Sequence, residues 1–182
     1  MTEYMILFDP DKCTQCHGCE TACKQWRDLS YGLRFRRVLN CWRGSYPEVK
    51  SGTLSLACLH CAEPACLEAC PVEAISKSAE DGRVLVDESI CIGCGACARA
   101  CVYGVPQIGE DKIMRKCDLC LDQKDAGLAP PCVLTCSGEA LKLTEVTLET
   151  KRATEAATLR LLRQAPREAT TKARKSGPQV YK

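Results

Sequence analysis

The chain has 182 residues, a formal net charge of +2, only 5% aromatic residues and 17 cysteines. That length makes one domain or two small ones, and cysteines stand where a core would hold Leu or Phe, so cross-links or metals are needed for cohesion. No apolar run approaches the ~18–20 residues that cross a bilayer, which excludes a direct membrane span. The first residues, Met1-Thr2-Glu3-Tyr4-Met5-Ile6-Leu7, carry no basic n-region and no twin arginine. The expected location is therefore cytoplasmic, or exported or membrane-associated only through partner subunits. Charge is uneven. Residues 151–182 hold nine Lys/Arg against Glu155 and Glu168, or +7, which leaves −5 for the rest. This basic tail lacks aromatic interleaving and any binding motif, so no nucleic acid is expected as a partner, and a docking or solvated tail is.

In chain order, Tyr4–Asp9 reads as a strand leading into a first cysteine block, Cys13, Cys16, Cys19 and Cys23. Thr53–Leu56 is a short strand entering the second, Cys58, Cys61, Cys66 and Cys70. After Pro71–Ser76, the turn Glu80-Asp81-Gly82 and the alternating Arg83–Asp87 predict a hairpin. Ile90 then opens the third block, Cys91, Cys94, Cys97 and Cys101. Cys117, Cys120, Cys132 and Cys136 form the fourth, interrupted by residues 121–131, a solvent-facing turn or a partner-docking loop. Ala140–Thr144 is a strand. Residues 147–164 predict a modest helix with Leu148, Ala156, Leu159 and Leu162 near one face, ended by Pro166, and the segment beyond is expected to be extended or disordered when alone.

A disulfide framework fits poorly, because repeated C-x2-C-x2-C packing makes thiols converge on metal and no secretory signal is present. Structural zinc uses paired C-x2-C knuckles, often with histidine. Here the blocks are triplets plus one, and only His17 and His60 exist. Sixteen thiolates suit four 4Fe–4S clusters at four ligands each, with no catalytic residues. In the bacterial ferredoxin spacing, which C-I-G-C-G-A-C-A-R-A-C matches, the fourth cysteine ligates the other cluster of a pair. Block–hairpin–block across residues 58–101 then predicts one cluster on Cys58, Cys61, Cys66 and Cys101, and another on Cys70, Cys91, Cys94 and Cys97. The outer blocks pair with each other: Cys13, Cys16 and Cys19 with Cys136, and Cys117, Cys120 and Cys132 with Cys23. The expected fold is α+β, two nested two-cluster ferredoxin folds of short strands and helices with a C-terminal helical and extended tail. Residues 1–52 and 102–145 form the outer unit, 53–101 the inner one, and 146–182 the basic tail. Sequential pairing, first block with second and third with fourth, is the alternative.

Four stretches, D-P-D-K-C-T-Q-C-H-G-C-E-T-A-C-K (9–24), C-L-H-C-A-E-P-A-C-L-E-A-C-P (58–71), C-I-G-C-G-A-C-A-R-A-C-V-Y-G-V-P-Q (91–107) and K-C-D-L-C (116–120), together with Phe35-Arg36-Arg37-Val38, carry a resemblance. The chain resembles the four-cluster iron–sulfur subunits of the dimethyl sulfoxide reductase family, including thiosulfate and polysulfide reductases. The resemblance implies a subunit passing single electrons between a large molybdenum- or tungsten-pterin catalytic subunit and a membrane-anchored quinone-reactive subunit or a soluble donor. Similar modules serve tungsten enzymes, formate dehydrogenases and hydrogenases, and a free-standing polyferredoxin is a rival. The family often has Pro after the last cysteine of the later blocks; Val102 and Ser137 stand there, and their N–H groups are expected to raise the nearest potentials. Cys41 reads as a small buried side chain, His17 and His60 as neighbours of ligands or surface groups, and Trp26 and Trp42 as packing or interface residues.

Overall fold

The computed structural model describes residues 3–120, 122–123 and 126–164. Its elements are β1 (Glu3–Phe8), α1 (Gly18–Trp26), β2 (Arg37–Arg43), β3 (Lys50–Leu56), α2 (Ala65–Glu68), β4 (Ile75–Lys77), β5 (Val84–Val86), α3 (Ala96–Ala100), β6 (Gln107–Ile108), β7 (Met114–Arg115), α4 (Pro131–Leu134), β8 (Leu141–Val146) and α5 (Leu148–Gln164). Short helices and short strands thus alternate, and the strands pair as four separate antiparallel ladders.

β1 runs against β8 from Glu3↔Val146 to Phe8↔Leu141, so the two ends of the cysteine-bearing region lie side by side. β4 and β5 form the hairpin read from Asp81-Gly82. The strand read at Thr53–Leu56 starts earlier, at Lys50, and pairs with β2 from Arg37↔Leu56 to Arg43↔Lys50. Nothing in R-V-L-N-C-W-R alternates clearly enough to mark β2 as a strand. β6 and β7 form a two-residue ladder between the third and fourth blocks. Helices also pair: α1 packs on α4, and α2 on α3.

Cysteines are part of the core itself. One buried cluster joins Ile6, Phe35, Val38 and Leu141 to Cys19, Cys23, Cys117 and Cys132. A second is purely apolar in its buried members, among them Met5, Leu39, Leu56, Tyr103 and Leu162. The third sets Ile75, Val84 and Met114 around Cys66 and Cys97.

The helix read at 147–164 forms, but with a different inward face. Leu148 and Ala156 are exposed, whereas Lys151, Thr158 and Leu162 are buried and Leu159 partly so. Polar pairing decides this orientation. Lys151 Nζ meets Glu3 Oε2 at 2.5 Å, and Glu3 also meets Lys77 at 3.0 Å. A buried ammonium paired in this way replaces an apolar residue at the centre of the stripe. Further along, Glu155 accepts the Ala62 N–H at 2.8 Å, and the Tyr103 hydroxyl donates to Glu155 O at 3.1 Å. α5 therefore lies on β1, β3 and the loop that carries Cys61. The basic segment past residue 164, and Leu121, Lys124 and Asp125 of the loop between Cys120 and Cys132, lie outside the described residues.

Candidate iron–sulfur site

The four cysteine blocks share one backbone device. Two places after the first cysteine of each block the backbone is left-handed, at Gln15 (φ 58°), His60 (φ 49°), Gly93 (φ 65°) and Leu119 (φ 69°). Only Gly93 adopts that conformation freely; each of the others costs about 1–2 kcal/mol. The same left-handed turn recurs in four separate places, and N–H groups nearby donate to sulfur. Leu119 N donates to Cys117 Sγ at 3.4 Å, Met114 N to Cys91 Sγ at 3.4 Å, and Ala140 N to Cys136 Sγ at 3.2 Å. The third cysteine of each block stands on a short helix, α1 to α4, and the fourth follows at i+4, one turn on.

Cys70, Cys91, Cys94 and Cys97 line one pocket, walled by Ile75, Val86 and Met114 among others. Around Cys61, burial first, then Glu155 and the Cys58, Cys101 and Cys66 thiolates, push the thiol up to about 12. Burial and the neighbouring Cys58 likewise raise Cys66 to about 11. Cys101 is raised by burial, against N–H groups of Val105, Tyr103 and Gly104 that favour its thiolate. In the outer blocks, burial and then Cys132 raise Cys23 to about 12. Burial lifts Cys120 to about 11 against the Arg27 side chain that bonds it. Cys117 is raised by burial, with Cys58 and Cys23 adding and Arg36 opposing.

The first block meets the end of the fourth. The Gly18 N–H and the Thr14 and Ser137 side chains hold Cys16 below its ordinary value. A Cβ on Gly138 would fall 2.2 Å from the Lys12 carbonyl oxygen, so the backbone after Cys136 passes directly over the entry to Cys13. Cys19 is raised by burial and approached by the Ser55 hydroxyl at 3.5 Å.

Thiols this buried hold their protons unless a cation draws the thiolate out, which a coordinating metal does. Among the described residues no three His, Cys, Asp or Glu side chains converge as a single-ion site. The all-thiol donor set, the four left-handed turns and the N–H groups that donate to sulfur fit 4Fe–4S clusters, which thiolates hold and hydrogen bonds to sulfur tune.

Other singled-out residues stand as follows. His60 is fully buried, and its Nδ1 accepts the Val84 N–H at 2.8 Å. Burial, then Lys116, Lys151 and Arg83, hold it neutral, well below the usual imidazole range. His17 Nδ1 lies 2.8 Å from Glu20 Oε2 at the start of α1. Cys41 is half-buried on β2 opposite Gly52, while Trp26 and Trp42 are exposed. At Ser137 it is the side chain that reaches a sulfur, that of Cys16, whereas Val102 is exposed. Sequence reasoning missed three buried cations near the thiols, Arg36, Arg37 and Lys116. Their only sequence signal was their place inside the family-like stretches.

The 4Fe-4S dicluster domain family matches residues 49–146. A polypeptide of the anaerobic dimethyl sulfoxide reductase of Escherichia coli (strain K12) is 43% identical over 149 residues, covering 77% of this protein and 72% of the relative. One of the subunits of the sulfite dehydrogenase of Allochromatium vinosum is 36% identical over 162 residues, covering 77% and 68%. The formate dehydrogenase iron-sulfur subunit of Wolinella succinogenes is 36% identical over 156 residues, covering 73% and 76%. With all-cysteine sites and this breadth of likeness, the protein belongs to the family of 4Fe–4S iron–sulfur subunits of dimethyl sulfoxide reductase and related molybdoenzymes.

Proposed function

We propose that this protein relays single electrons through four 4Fe–4S clusters between a large molybdenum- or tungsten-pterin catalytic subunit and a second redox partner, a membrane-anchored quinone-reactive subunit or a soluble donor. When bound, each cluster takes up and gives back one electron; the protein's residues place, insulate and tune it. The proposed ligand sets are Cys13, Cys16, Cys19 and Cys136; Cys23, Cys117, Cys120 and Cys132; Cys58, Cys61, Cys66 and Cys101; and Cys70, Cys91, Cys94 and Cys97. Support comes from the shared cavity of the last set, and from the mutual influence of thiolates within the second and third. The nested arrangement, an outer unit of 1–52 and 102–145 around an inner one of 53–101, is supported by the β1–β8 ladder and by the packing of α1 on α4 and α2 on α3. The influence of Cys58 on Cys117 supports placing the second and third sets next to each other.

One observation carries the relay. Of all seventeen cysteines only Cys16 and Cys94 are exposed, one in the first set and one in the last. The surroundings differ: Cys16 has the polar Thr14 and Ser137, while exposed Ile92 lines the same pocket as Cys94. Two unlike exits suit two unlike partners. Purified anaerobically under native conditions, the tagged protein should bring down a larger polypeptide, with molybdenum or tungsten by metal analysis. Recovery of the loaded protein alone, with no pterin metal, would instead favour the free-standing polyferredoxin.

A further inference from the structure

Arg36 lies just ahead of β2 and is only 3% exposed. Its neighbours Phe35 and Val38 pack with Cys19, Cys23, Cys117 and Cys132. Nη1 donates to Ser55 Oγ at 3.1 Å and to Ser55 O at 3.5 Å, and Ser55 Oγ stands 3.5 Å from Cys19 Sγ. Among the described residues no carboxylate lies within ion-pairing distance of Arg36. A guanidinium cannot shed its proton, and burying one without an anion is strongly unfavourable. The charges that act on it most are the thiolates of Cys132, Cys117, Cys19 and Cys23, which together outweigh burial and hold its proton on more firmly than usual. Three of those four belong to one proposed ligand set. Arg36 is placed as a counter-ion whose anion is the site itself.

We propose that Arg36 is the fixed counter-charge of the cluster held by Cys23, Cys117, Cys120 and Cys132, and that it raises that cluster's reduction potential. This rests on the ligand assignment proposed above. A 4Fe–4S core on four thiolates is anionic in both redox states and one unit more negative when reduced. A permanent cation beside it therefore favours the reduced form, the more so where little water screens the interaction. Ser55, bonded to Arg36 and in contact with Cys19 Sγ, orients the fork and ties it to the first ligand set. The electron added is balanced by the external reductant of the titration, and no proton transfer is required, because the charge on Arg36 does not change.

The test is an EPR-monitored redox titration of the purified, anaerobic full-length protein as wild type, Arg36→Met, Arg36→Gln and Arg36→Lys. The neutral variants should move one midpoint potential down by at least a tenfold change in the reduction equilibrium, 59 mV for a one-electron couple. Arg36→Lys, which keeps the charge, should return most of that shift. Neutral variants with full iron content and unmoved potentials overturn the proposal, as does an equal downward shift in Arg36→Lys. If neither neutral variant loads, Arg36→Lys decides alone: a tenfold or larger fall overturns the proposal, and a smaller change upholds it. A wild type with fewer than four clusters would defeat the ligand assignment instead, a separate failure seen in iron analysis before any titration.

Discussion

Changing Cys136 to serine is expected to remove the cluster of the first block and leave that of Cys117 and Cys120 in place. Iron should fall from sixteen to about twelve per polypeptide, with one of four EPR signals lost, since each 4Fe–4S centre depends on four thiolates. The expectation follows from what surrounds Cys136. The Ser137 side chain, one residue on, bonds Cys16, and Gly138 sits against the Lys12 carbonyl. Cys132, one helical turn earlier, influences Cys23 and Cys120, and Cys19 as well. Pairing of neighbouring blocks in sequence would make Cys136 serve Cys91, Cys94 and Cys97, and the signal lost would be theirs. Loss of the Cys117 cluster with the first block's intact would refute the proposed assignment.

Gly93→Ala should be nearly as damaging, although it adds one methyl group. At φ +65° the backbone is left-handed, and the new Cβ would stand 1.9 Å from the Lys112 carbonyl oxygen. No rotamer relieves a clash with backbone, so either the Cys91–Cys94 loop or the turn at Gly109–Lys112 must move. That turn leads into Met114, whose N–H bonds Cys91 Sγ. Conformational strain alone costs roughly 1–3 kcal/mol, and displacing Cys91 and Cys94 opens the fourth ligand set. Anaerobic iron analysis should show the last cluster depleted by more than half, with a lowered melting temperature. A variant with full iron and an unchanged melting temperature would contradict this close approach.

The chemistry was far more legible in the sequence than the packing. Four blocks of cysteines with ferredoxin spacing specify a donor set, because thiolate number and spacing are properties of the sequence alone. The ladder partners β1 and β8 stood out as the first and last apolar strands, and Asp81-Gly82 marked its own hairpin. β2 was not marked, since Arg37, Val38 and Leu39 are buried in succession and leave no alternation to read. The inward face of α5 was misread for a related reason. Lys151 looks like a surface residue until Glu3, far away in sequence, neutralises it. The left-handed turns at Gln15, His60 and Leu119 had no local signal, because none of them is a glycine. Arg36 needed the fold as well: a buried cation is recognisable only when its anions are brought round it.

The most direct test is quantitative iron and acid-labile sulfide on anaerobically purified full-length protein, with its concentration measured by amino-acid analysis. Four clusters on sixteen cysteine ligands predict sixteen irons and sixteen sulfides per polypeptide, with zinc at background. Eight irons or fewer after anaerobic reconstitution, or stoichiometric zinc in the same sites, would contradict it.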